Sequence, residues 1–331
     1  MPALLSDRRV RSLNVEQLGL PLPSRVTSAS VHAASVVAPV EEPGALPHGD
    51  PLLEQVRDLL TRYGGVILSG PPGTSKSWSA ERLAITLAGS ANRTRLVQFH
   101  PSYQYEDFVE GLVLRPGQGF VTIPKHLMEL AQAAAEQPNF TFVLVIEELS
   151  RGDAARIFGE GLTFIEKSKR GQTFMLASGN EGMIPANLVV IATMNAVDRG
   201  VDEVGAAFER RFAKISMDPD VERVRQFADE AGMATPLRDR MVEFFTWVNE
   251  QAVDEPQAAL GHTHFADLPD EAALRRLWEH QLRFFFEKAY RLDPGRRADV
   301  ESRWARIFED GQGAPSDQDS RSLAADEAPP V

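Results

Sequence analysis

The sequence predicts an α/β domain, a parallel sheet with helices on both faces, followed by a second domain that is all helical. Three observations carry that reading. Short apolar runs recur at residues 66–68, 94–99, 142–146, 188–193 and 212–216, separated by segments of helical spacing. A glycine-bearing loop joins the first run directly to a helix. Beyond Pro219 only helical patterns remain.

The elements follow in order. Residues 1–50 are rich in Pro, Ser, Ala and Val without a sustained period, as in Leu20-Pro21-Leu22-Pro23, and read as an extended or disordered lead. The α/β domain is expected over 51–218. A helix over 52–63 is stopped by Gly64-Gly65, and the strand 66–68 comes next. Then follow helix 76–88, strand 94–99, helix 124–135, strand 142–146, helix 153–167, strand 188–193, helix 202–211 and strand 212–216. Two segments break this rhythm. Residues 112–114 and 120–122 flank Arg115-Pro116-Gly117-Gln118-Gly119, and residues 174–176 and 183–184 flank Ser178-Gly179-Asn180-Glu181-Gly182. Both have the turn chemistry of a β-hairpin. The helical domain is expected over 219–310, with helices at 221–230, 237–253, 271–290 and 297–308. Residues 311–331 read as a solvated tail.

Composition narrows the function. The 331 residues are 43% hydrophobic and 25% charged, which supports a large core and rules out wholesale disorder. No apolar run approaches the roughly 18 residues of a membrane span, and no apolar stretch follows Arg8, Arg9 and Arg11 as in a secretory signal. The chain has no cysteine, which excludes disulfides, zinc-thiolate sites and thiol nucleophiles and fits a cytoplasmic location. A net charge of −12 argues against coating nucleic acid by bulk charge.

The chemistry-bearing residues lie at the ends of the predicted strands. Gly70-Pro71-Pro72-Gly73-Thr74-Ser75-Lys76-Ser77 has the spacing of a phosphate loop, with Ser75 where Gly is usual. Backbone N–H groups of such a loop turn inward around phosphates, and the following helix aims its positive end at the same anion. Lys76 can place its ammonium on the β- and γ-phosphates, and the Ser77 hydroxyl can ligate Mg²⁺. Strand 142–146 runs into Glu147-Glu148. Glu147 takes the metal-side position, one methylene longer than the usual Asp, and Glu148 the position of a base toward water. Strand 188–193 leads to Asn195, which can orient that water, and to Asp198 in the next loop.

Glu209-Arg210-Arg211-Phe212 completes a pattern that resembles the AAA+ NTPases. Within them the chain is similar to the McrB-type restriction NTPases of the dynein-related and MoxR-like branch. The resemblance also rests on Phe99-His100-Pro101-Ser102-Tyr103, Glu147-Glu148-Leu149-Ser150-Arg151-Gly152, Met194-Asn195 with Asp198-Arg199, and Leu260-Gly261-His262-Thr263-His264-Phe265. It covers roughly residues 50–290 and implies an AAA+ P-loop core with two hairpin insertions and a helical lid. It further implies a ring, commonly a hexamer, with ATP or GTP and Mg²⁺ at subunit interfaces, and Arg211 or Arg210 as a finger reaching a neighbour's γ-phosphate. Arg238, Arg275 and Arg276 are candidates for the lid arginine, while His262 and His264 read as packing or interface residues. The implied partner is a separate effector, a McrC-like nuclease subunit of a restriction or defence system, with nucleic acid met through the complex. The 50 residues ahead of the NTPase are too few and too irregular for a DNA-reading domain, so target recognition is expected from another chain. Two alternatives stand beside this reading: a MoxR-like ATPase that remodels a protein partner, and a nucleotide-gated scaffold with little hydrolysis.

Overall fold

Three strands that are apolar at nearly every position take the middle of the sheet, because both of their faces are covered. They are β1 (Gly65–Gly70), β5 (Phe142–Glu147) and β8 (Leu188–Asn195). The computed structural model describes residues 44–47, 49–195, 208, 210–253 and 255–309. Its five-stranded sheet has the order β2-β5-β8-β1-β9, all pairs parallel, with β2 (Thr94–Gln98) and β9 (Phe212–Ser216) at the edges. The edge strands alternate instead: Leu96 on β2 and Lys214 on β9 are exposed.

Strand residues of alternate parity feed two cores, as a pleat of period two requires. Val66, Leu68, Val143, Val145, Val189 and Ile191 face α1 (Pro51–Arg62) and α2 (Lys76–Ala88), against Leu53, Val56, Leu83 and Ala84. Ile67, Leu144, Ile146, Val190 and Ala192 face the other side. There they meet α3 (Tyr105–Phe108), α4 (His126–Glu136), α5 (Ala154–Phe158) and α6 (Gly161–Phe164). The two hairpins form as expected: β3 (Glu110–Arg115) pairs with β4 (Gly119–Pro124), and β6 (Thr173–Met175) with β7 (Glu181–Met183). Glu110, buried at the base of the first, accepts from the Ser178 N–H (2.8 Å) and hydroxyl (2.7 Å) in the turn of the second.

Two expectations change. The helix foreseen over 153–167 is broken into α5 and α6 at Gly159, whose φ of +49° and close approach to the Tyr105 ring leave no room for a side chain. The last helix starts earlier than 297, because Asp293 caps it and Pro294 opens it. The helix foreseen over 202–211 falls mostly outside the described residues.

After the last strand, α7 (Val221–Glu230), α8 (Thr235–Gln251), α9 (Glu271–Leu277), α10 (Arg283–Ala289) and α11 (Pro294–Ala305) bury a core of their own. A single π-helical stretch, Trp278–Leu282, joins α9 to α10 and stacks Trp278 on Trp304 at 5.1 Å. Arg170 is half-buried at the amino-terminal ends of β1 and β8. It donates to the carbonyls of Ile165 (2.7 Å), Leu188 (2.5 Å) and Gly64 (2.8 Å), and burial pushes its guanidinium down to about 10.

Candidate nucleotide site

The sheet register lines up the strand ends. Gly70 of β1 sits opposite Asn195 of β8, and Ile146 of β5 opposite Ala192. The loop after β1, Glu148 after β5 and Asn195 at the end of β8 therefore come together at the carboxyl edge of the sheet. Parallel sheets bind ligands at that edge. Pro72, Gly73, Thr74, Ser75, Lys76, Ser77, Glu148, Thr193, Met194 and Asn195 line one cleft there, of about 260 Å³.

The loop has the shape that phosphate binding needs. Gly73 (φ +78°) and Ser75 (φ +60°) take the left-handed conformation, which turns successive N–H groups to one side. A Cβ on Gly70 would collide with the Met217 carbonyl, so glycine is required where β9 passes the loop. Ser75 ends the loop as the residue capping α2, and its side chain makes no bond to the helix. Lys76 is buried, and its Nζ donates to the Gly70 (3.0 Å) and Pro71 (2.6 Å) carbonyls of its own loop. The ammonium is thus held over the cradle, and the exposed Ser77 opens onto the cleft. Inward N–H groups, a cation and a hydroxyl fit a triphosphate with its metal ion.

Across the cleft, Glu148 also takes the left-handed conformation (φ +54°). Its N–H donates to Thr193 Oγ1 (3.3 Å), and its Oε2 accepts from Asn195 Nδ2 (3.4 Å) and Arg151 Nε (3.3 Å). A half-buried carboxylate fixed by an amide and a guanidinium can hold and deprotonate a water. Thr193 and Arg151 were not singled out from the sequence, since each acts through the orientation of Glu148. Glu147, the last residue of β5, is half-buried and is not among the residues lining the cleft.

Arg210 and Arg211 sit at the other end of the sheet. Phe212 pairs with Gly65, and Gly64 N–H donates to the Arg211 carbonyl (2.8 Å). Six residues at about 3.3 Å each put about 20 Å between that level and Gly70, beyond the reach of an arginine side chain. Neither arginine can serve the cleft of its own chain. Asp198 lies outside the described residues. Arg238 is paired with Asp229 (2.7 Å) and Asp239 (2.9 Å), Arg275 with Glu271 (2.5 Å), and Arg276 is exposed. None of the three lines the cleft.

Residues 65–212, from the first strand to the start of the last, match the AAA domain of the dynein-related subfamily. The chain therefore carries an AAA domain of that subfamily. It is a P-loop NTPase, with a helical region behind its α/β core. It is 30% identical over 266 residues to the type IV methyl-directed restriction enzyme EcoKMcrB subunit of Escherichia coli K12, across 72% of this chain and 58% of that protein. It is 25% identical over 189 residues to the type II restriction enzyme BsuMI component YdiS of Bacillus subtilis 168, across 44% of this chain and 55% of that one. The chain thus spans little more than half the length of either relative. No helix among the described residues is long and apolar enough to cross a membrane.

Proposed function

We propose that the cleft binds a nucleoside triphosphate, ATP or GTP, and hydrolyses its γ-phosphate, and that the chain does so as one subunit of a ring that drives a separate effector. The observation that carries the hydrolytic part is the convergence of the phosphate loop, Glu148 and Asn195 on one cleft. The loop N–H groups and the start of α2 hold the phosphates. Lys76 exchanges its bonds to the loop carbonyls for bonds to the β- and γ-phosphates. Ser77, with Glu147 behind it, would hold Mg²⁺, which supplies charge neutralisation at the phosphates. Asn195 and Glu148 hold the attacking water. As its oxygen bonds to the γ-phosphorus, the bond to the bridging oxygen of the nucleoside diphosphate breaks and the water proton passes to Glu148.

The distance of Arg210 and Arg211 from their own cleft supports action on a neighbouring subunit. A ring, commonly a hexamer in this group, supplies that neighbour. The two relatives carry the names of restriction-enzyme components, which supports an effector of that kind, a McrC-like nuclease that meets nucleic acid through the complex. Lys76→Ala tests the binding half. Loss of one charge-assisted contact is worth about 1.5–3 kcal/mol, so a fluorescent ATP or GTP analogue should bind tenfold to more than a hundredfold more weakly. Unchanged binding would overturn the site.

A further inference from the structure

A short segment of the helical region, Gly261–His264, touches the phosphate loop. Gly261 lies so close to Gly73 and Pro72 that any Cβ there would strike the loop backbone, and Thr263 N–H donates to the Gly73 carbonyl (3.0 Å). His262, buried at 5% exposure, reaches from this segment to the residue that departs from the usual loop sequence. Its Nε2 is 2.8 Å from Ser75 Oγ. Its other nitrogen, Nδ1, accepts from the Asp220 N–H (3.3 Å), and the Asp220 carboxylate in turn caps α7 by accepting from Glu222 and Arg223 N–H.

These bonds fix the tautomer. A backbone N–H can only donate, so Nδ1 is the acceptor and the ring proton sits on Nε2, from where it donates to Ser75 Oγ. The serine hydroxyl then keeps its own proton for another acceptor, and Ser75 lines the cleft. A glycine at position 75 would fit the left-handed backbone with less strain, but it would leave His262 without this acceptor.

We propose that His262 is a positioning residue for the phosphate loop: through Ser75 it holds the loop in register with the start of α7, so that the helical region and the phosphate cradle move as one. Serine at position 75 is the matched half of this pair. The proposal rests on the cleft being the nucleotide site. It makes nucleotide affinity, rather than the hydrolytic step, depend on a side chain that touches no phosphate.

The test is a double-mutant cycle on the full chain, read by binding of a fluorescent ATP or GTP analogue and by steady-state hydrolysis. His262→Asn keeps an acceptor near the Asp220 N–H and removes the donor to Ser75. Ser75→Ala removes the acceptor alone. Each should weaken binding about three- to tenfold and raise KM in step, and His262→Asn should leave kcat within about twofold. The double variant should bind no more weakly than the worse single variant, and His262→Gln, which restores a donor near the Nε2 position, should recover most of the affinity. Additive losses, or equal losses for His262→Asn and His262→Gln, would reduce His262 to packing and overturn the proposal. Should His262→Asn fail to fold, wild-type affinity in Ser75→Ala overturns it by itself. Failure of the wild-type chain to bind either analogue would instead overturn the nucleotide site, and this proposal with it.

Discussion

At the scale of single residues, the proposed mechanism divides the work of the two adjacent carboxylates by position. Glu148 lines the cleft and is held by Asn195 and Arg151, whereas Glu147 stands one residue back on β5. Glu147→Gln should therefore leave nucleotide binding measurable but raise the Mg²⁺ concentration needed for half-maximal hydrolysis. A magnesium titration checks it, and an unchanged half-point would remove Glu147 from the metal. The convergence of the phosphate loop, Glu148 and Asn195 was legible in the sequence, because each sits at the end of an apolar run. The Ser75–His262 bond was not readable. Its partners lie 187 residues apart, and nothing local to Gly261-His262 names the loop it meets. The sequence reading took His262 for a packing or interface residue, and its burial agrees, but packing alone does not describe a ring bonded at both nitrogens.

At the scale of elements, the strands were legible because β1, β5 and β8 are uninterrupted apolar runs, whereas the break between α5 and α6 depends on the Tyr105 ring beside Gly159, which no local pattern encodes. Arg170 is a further non-local feature. It ties the end of α6 to the starts of β1 and β8 through four backbone carbonyls, those of Ile165, Pro185, Leu188 and Gly64. Arg170→Ala leaves buried carbonyls without donors at about 1–3 kcal/mol each, so the loss should exceed about 3 kcal/mol, read as a lower midpoint in urea. Acid should also weaken the fold. Burial holds His126, His262 and His264 below the usual 6.5. The unfolded chain therefore takes up protons at these sites first. Stability is fully present above about pH 6.5 and falls as pH drops from there through the folded values. Denaturant midpoints at a series of pH values check the sign. A midpoint that rises on acidification from pH 7 to 5.5 would contradict it.

At the scale of the whole molecule, Arg211 and Glu148 lie at opposite ends of the sheet, and in the proposed ring one subunit's arginine would reach the next subunit's cleft. Arg211→Ala and Glu148→Gln, each nearly inactive alone, should regain hydrolysis when mixed under conditions where a tagged pull-down shows subunit exchange. Some interfaces then combine an intact Glu148 with an intact Arg211. Exchange without recovery would argue against Arg211 as the finger, and repeating the mixture with Arg210→Ala tells the two arginines apart. A finger of this kind is worth ~10³–10⁵ in rate, so even a minority of repaired interfaces is measurable.

The predictions for Glu147 and Arg211 rest on the cleft being a hydrolytic nucleotide site with Glu148 as its base. Phosphate release by Glu148→Gln, measured beside its binding of the same nucleotide, tests that most directly. The amide keeps the shape and the hydrogen bond to Asn195 or Arg151 but cannot take the water proton. Turnover should fall by ~10²–10⁴ while nucleotide affinity stays within a few-fold of the wild type. Turnover at the wild-type rate with the nucleotide bound would contradict the account.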